Sequence, residues 1–198
     1  MEDVREAFIH LTSNYSQQSM ILYGQSKRKN ADVLRQIQTL TNSYAILSVW
    51  IKATRNGNFS HDLLSRIREL NNKFSSDDNS KRQQQTILTL ESAAESKADL
   101  SLLTDIFLGL GSMAKRSGQC ICLFIDNMHC MKKDEAEALT MAIHRSNQVR
   151  IPLMIFGAGL PSVLTLLGNA CPYAETLFMY SEASSQIMSK DEWSDDLK

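Results

Sequence analysis

The chain has 198 residues, 43% apolar and 22% charged, enough to bury one substantial core and too balanced for a fibrous or wholly disordered protein. Lysine and arginine number 21 against 22 acids, a formal charge of -1, which excludes a global basic field for gripping nucleic acid or an anionic membrane. The longest apolar runs, around 120–125 and 153–160, fall far short of the ~20 residues a membrane-spanning helix needs. Glu2, Asp3 and Glu6 stand where a secretory signal would be basic, so a cytoplasmic chain is expected.

Val4, Ala7, Phe8 and Leu11 recur at helical spacing and predict a short helix, followed by a polar break over 12–19. Met20–Tyr23 is apolar throughout and stops at Gly24, the pattern of a buried parallel strand entering a turn. A polar loop over 25–30 follows, and Ala31, Val33, Leu34, Ile37 and Leu40 then mark one helical face. The β-rich run 44–51 gives a second strand, and Leu63, Leu64, Ile67 and Leu70 stripe another helix. The polar stretch 71–85 has the composition of a mobile surface loop.

A helix is expected over 100–114, ending near Gly118, where glycine accepts the left-handed cap. The strongest strand is 120–125, terminating at Asp126; Asp134 then caps a helix running to about Asn147. A strand over 152–156 leads into Gly157-Ala158-Gly159, Pro161 opens a short helix, 175–180 forms the last strand, and 181–198 is an acidic polar tail. Strands alternating with helices mean a parallel five-stranded sheet with helices on both faces, in one domain over 1–180. Ligands of such sheets bind at the carboxyl ends of the strands. Of four cysteines, Cys120 and Cys122 lie two apart in one strand and fit no zinc spacing, so they read as core residues.

A phosphate-binding P-loop after the first strand would read Gly-x-x-x-x-Gly-Lys-Ser/Thr, with backbone N–H groups wrapping the anion, a lysine on the phosphates and a hydroxyl on magnesium. Here Gly24 keeps the first glycine, while Lys29 stands for the second glycine, Asn30 for the lysine and Ala31 for the hydroxyl. Three roles fail together, a loss above about 3 kcal/mol of transition-state stabilisation. Lys27, Arg28 and Lys29 remain cationic at a helix start, where anions are favoured. Residues 122–126 have the form of a Walker B strand, with Asp126 at the magnesium position, but Asn127 replaces the glutamate that polarises water, and an amide is no general base. Phosphate loop and carboxylate have to meet, so Gly24 and Asp126 are expected on adjacent strands.

From Cys122 to Tyr180 the chain resembles the prokaryotic AAA-type ATPases of the STAND and origin-recognition-like group. The likeness rests on the Walker B strand, His144-Arg145 near the end of the following helix, Gly157 to Pro161, and Tyr173 to Phe178. It extends more loosely back to Met20. It implies a P-loop NTPase fold, here without the segments that hold adenine and form the helical lid, and a polar sensor position that falls on 157–159. His129 and His144 receive no role.

The reading that follows is a degenerate, non-hydrolysing member acting through protein contacts, with a protein partner or a second copy of itself and no cofactor. A second is an ATP-binding protein or ATPase that uses Gly24, Lys27, Lys29, Asn30 and Ala31 for the nucleotide and Asp126 for magnesium. A third is a nucleic-acid-associated accessory protein, against which the net charge stands.

Overall fold

The computed structural model describes residues 2–13, 18–74 and 99–183. Its elements run α1 (Glu2–Thr12), β1 (Ser19–Tyr23), α2 (Lys27–Leu40), a 3-10 turn (Thr41–Tyr44), β2 (Leu47–Lys52), α3 (Phe59–Phe74), α4 (Asp99–Arg116), β3 (Ile121–Asp126), a second 3-10 turn (Met128–Cys130), α5 (Lys133–Gln148), β4 (Leu153–Gly159), α6 (Ser162–Ala170), α7 (Ala174–Leu177) and β5 (Phe178–Glu182). The five strands form one all-parallel sheet in the order β2-β3-β4-β1-β5. Among the described residues no helix is long and apolar enough to cross a membrane.

Strand side chains alternate between two cores, as the period of two requires. Ile121, Leu123 and Ile125 of β3 and Leu153 and Ile155 of β4 face α3, α4, α5 and α6, whereas Cys122, Phe124, Met154, Phe156 and Ala158 face α1 and α2. On the second face Trp50, Phe124 and Phe156 stack across β2, β3 and β4 at 6.3 and 5.4 Å, and Phe8 of α1 meets Phe156 edge-on at 5.4 Å. Cys120 and Cys122 belong to this layer; burial, then the neighbouring Cys120 sulfur, push the Cys122 thiol well above its usual range.

Several boundaries depart from the sequence expectation. The helix after β1 begins at Lys27 rather than Ala31, because Ser26 takes extended geometry and its hydroxyl accepts the Lys29 N–H at 3.3 Å, a standard N-cap. Residues 71–74, expected in a mobile loop, continue α3; the rest of 71–85 lies outside the described residues. Residues 174–177 are helical, so the last strand starts at Phe178 and takes in Ser181 and Glu182, which had been assigned to the tail; 184–198 lie outside the described residues. Gly118 does take the left-handed conformation, at φ 62°.

Strand order overturns the expectation that Gly24 and Asp126 sit on adjacent strands. β4 runs between β1 and β3, pairing Met20 with Phe156 on one side and Cys122 with Met154 on the other. The two carboxyl ends are therefore about 10 Å apart laterally, two strand spacings. The expectation treated the strands as if their ends had to touch, whereas strand order follows from the crossovers: α5 returns the chain from β3 to the neighbouring position, and β1 takes the free side of β4.

The start of α5 is held differently from the predicted Asp134 cap. Lys132 is the capping residue, and the buried Glu135 reaches back to accept the Lys132 N–H at 2.9 Å with one oxygen and the Phe59 N–H, at the start of α3, at 3.0 Å with the other. One carboxylate thus satisfies orphan donors at two helix starts. Glu135→Ala should lower stability by about 2–3 kcal/mol, since two charge-assisted bonds vanish and the Phe59 N–H is left buried. Chemical denaturation should show a lower midpoint at an unchanged slope; a midpoint equal to the parent's would remove Glu135 from the account.

Candidate functional site

In an open parallel sheet the ligand crevice opens where successive crossovers leave on opposite faces. β1 leaves into α2, on the α1/α2 face, and β4 leaves into α6, on the opposite face. The switch point is therefore between β1 and β4, and its lips are Gly24 and Gly159. Asp126 lies one strand further away, level with Ala158 by continuation of the β3–β4 register.

Asn30 fills that crevice. It is 2% exposed, and its Nδ2 donates to Gly24 O at 2.9 Å and to Gly159 O at 2.7 Å, while Gly24 N donates to the same Gly159 O at 3.2 Å. Its Oδ1 is buried without a partner and lies 2.6 Å from where a Cβ on Gly24 would stand, so a side chain at Gly24 would make the amide shift. The remaining residues assigned to the P-loop lie on the first turns of α2: Lys27, Arg28 and Lys29 are exposed, and Ala31 is half-buried. Only Gln25 and the capping Ser26 stand between Gly24 and the helix, too few for successive N–H groups to wrap a phosphate.

The other face of the β4 exit is occupied by the turn after β3. A Cβ on Gly157 would collide with the Met128 sulfur and stand 2.8 Å from Ile21 Cδ1, and one on Gly159 would lie 3.2 Å from His129 N. The glycines at the expected sensor position thus admit this turn, and they lie in β4 itself. His129 Nδ1 accepts the Leu160 N–H at 3.2 Å, which places the ring proton on Nε2, a buried atom without a partner. Burial foremost, then Lys27, and also Arg55, lower the His129 pKa; Asp126 opposes them. Asp126 itself is buried, and its Oδ1 accepts the Asn127 N–H at 2.8 Å. Asn127 has φ 58°, a left-handed conformation that asparagine tolerates better than glutamate.

Asn30 brings no charge and Ala31 no hydroxyl to the places where a P-loop sets its lysine and its magnesium-binding group, whereas Lys27 and Asp126 both act on His129, so a cation and a carboxylate lie at the same edge. Among the described residues no group of three or more His, Cys, Asp or Glu is placed to hold a metal ion. Sequence reasoning saw Asn30 only as a missing lysine and assigned His129 nothing. The signal for Asn30 was its place six residues after a strand-ending glycine, and that for His129 was its closeness to Asp126.

Compared with known proteins, the chain matches no family model and no curated protein.

His129 carries a pH dependence. Its folded pKa lies below the unfolded value near 6.5, so the unfolded chain binds the proton more readily; the imidazole's contribution is fully present above about pH 6.5 and is lost as pH falls towards the folded pKa. Protonation also places a donor against the Leu160 N–H. His129→Asn, whose Oδ1 can accept the same N–H without titrating, should abolish this component. Stability measured from pH 7.5 to 5 should fall more steeply for the parent than for the variant; parallel curves would contradict it.

Proposed function

We propose that this chain is a degenerate, non-hydrolysing relative of the AAA-type P-loop ATPases that keeps the α/β frame and works through protein contacts. The observation that carries the reading is the Asn30 amide, seated in the switch-point crevice on Gly24 O and Gly159 O, where a nucleotide-using protein needs an open cradle and a lysine. Asn127 in place of a carboxylate removes the water-polarising step independently.

A surface suited to protein contact lies away from this edge. On α5 Met141 is 51% exposed, and His144, one turn on, meets the 47% exposed Tyr173 ring at 5.5 Å. Large apolar and aromatic groups presented side by side are the composition of interface cores. The second reading, an atypical nucleotide binder, draws on Lys27, Arg28 and Lys29 at the free first turn of α2, where an anion is attracted but not enclosed.

Purified chain should show negligible ATP turnover, and millimolar magnesium-ATP should leave its melting temperature unchanged, since a ligand stabilises only in proportion to its differential binding to the folded state. Turnover of about 1 per second or more, abolished by Asp126→Ala, would replace this reading with the second one.

A further inference from the structure

We propose that Asn56 is a self-modification site: the Gly57 nitrogen attacks the Asn56 side-chain amide, and the succinimide so formed opens to aspartate or isoaspartate in the loop that joins β2 to α3. The reaction needs neither a nucleotide nor a partner, so it goes beyond the reading above and does not rest on it.

Residues 56–57 are the one asparagine-glycine pair in the sequence. An asparagine amide is labile to the next backbone nitrogen, and a glycine there leaves that approach unobstructed and the backbone free to turn towards it. The other asparagines with described side chains are placed less well for ring closure. Asn30, Asn42, Asn147 and Asn169 lie in helices or a 3-10 turn, while Asn58 and Asn127 precede the bulky Phe59 and Met128.

The loop supplies the rest. Arg55 and Asn56 form an exposed turn, where water reaches the amide and ammonia can leave. The attacking Gly57 N–H donates to Thr54 O at 3.4 Å, the long end of the hydrogen-bond range, so little holds it. A Cβ on Gly57 would collide with Thr54 Oγ1 and stand 3.1 Å from Asp62 Oδ2, so a hydroxyl and a carboxylate lie against this glycine. Asp62 is thereby placed to take the Gly57 proton as general base. The new bond from Gly57 N to Asn56 Cγ replaces the bond to the amide nitrogen, which departs as ammonia with the proton Asp62 returns. Water then adds to one of the two imide carbonyls and leaves a carboxylate.

The product sits at a structural joint. Gly57 O accepts the Lys132 Nζ at 3.2 Å, and two residues on Glu135 holds the Phe59 N–H at 3.0 Å. Opening to isoaspartate routes the backbone through an added methylene just before these contacts, and either product sets a negative charge beside Arg55. The link between the exit of β2 and the start of α5 should loosen.

The test ages the full purified chain at mildly alkaline pH, folded or unfolded in urea. Peptide mass spectrometry places the mass gain that exchange of NH2 for OH brings, and enzymatic methylation detects isoaspartate. In the folded parent the gain should accumulate at Asn56 ahead of Asn42 and Asn58, and it should be lost in Asn56→Gln, whose longer side chain closes a larger ring more slowly. Asp62→Asn should slow the gain several-fold in the folded chain and leave the rate in urea unchanged, a split that the local sequence alone would not produce. The isoaspartate form, isolated by chromatography, should unfold at a lower denaturant midpoint than Asn56→Asp, which carries the charge without the added methylene.

A folded chain that stays unmodified at Asn56 while the unfolded chain reacts would overturn the site, because the fold would then shield the amide. Equal folded rates in the parent and Asp62→Asn would overturn the part given to Asp62, and equal midpoints would overturn the loosening. None of these outcomes touches the proposed lack of catalysis, which fails only if the parent hydrolyses ATP.

Discussion

The amide of Asn30 between Gly24 O and Gly159 O is the contact on which the carboxyl edge of this protein depends. In a parallel sheet the last carbonyls of each strand point beyond the ladder, and something has to satisfy them once helices cover both faces. Most strand ends open to solvent or to a loop. At β1 and β4, however, the crossovers diverge to opposite faces, and the Asn30 side chain lies buried between the two strand exits. A neutral amide brings two hydrogen bonds there without ionic desolvation, against the cost of a buried Oδ1 that has no partner. The consequences run outward: β1 ends in a short turn, Ser26 starts α2 at once, and the backbone that a phosphate would need is already helical.

The same edge is closed from the second face. The turn after β3 lays Met128 and His129 over Gly157 and Gly159, and the imidazole accepts the N–H with which β4 hands the chain to α6. Asp126 is drawn into this local structure as well, accepting the N–H of the left-handed Asn127. Glu135 then fixes the start of α5 to the start of α3. Asn30, Asp126 and His129 are each engaged in holding a turn at this edge, so the edge is a set of mutually supporting caps.

How much of this was legible in the sequence follows from the range of the interactions concerned. Apolar periodicity marks burial, and burial is what the strand and helix patterns record, so the parallel α/β sheet and the runs at Met20–Tyr23 and Cys120–Ile125 were readable from local residues. Strand order was not, because β4 inserts between β1 and β3 through crossovers that leave no mark in either strand's own composition. The start of α2 was misplaced because motif alignment assigned Lys27 to a loop, while the local signal, Ser26 as a capping hydroxyl, pointed to a helix. Asn30 and Glu135 are long-range donors and acceptors: Asn30 meets Gly159 across 129 positions and Glu135 meets Phe59 across 76. Spacing arguments of three or four residues do not reach such pairs.

The buried Asn30 amide contrasts with the exposed basic residues on the first turn of the same helix. Lys27, Arg28 and Lys29 are exposed, and Arg28 makes a surface pair with Asp32 at 3.9 Å. Charges at a helix start attract an anion by field alone, and at physiological salt that field is screened within about 8 Å. Without an enclosing loop there is no desolvated geometry to convert attraction into tight, oriented binding, which is the step a P-loop supplies through its backbone N–H groups. The exposed first turn of α2 thus offers an anion attraction without orientation. Catalysis of phosphoryl transfer depends almost wholly on orientation and preorganised charge, and at position 30 a neutral buried amide stands where a P-loop would place its lysine.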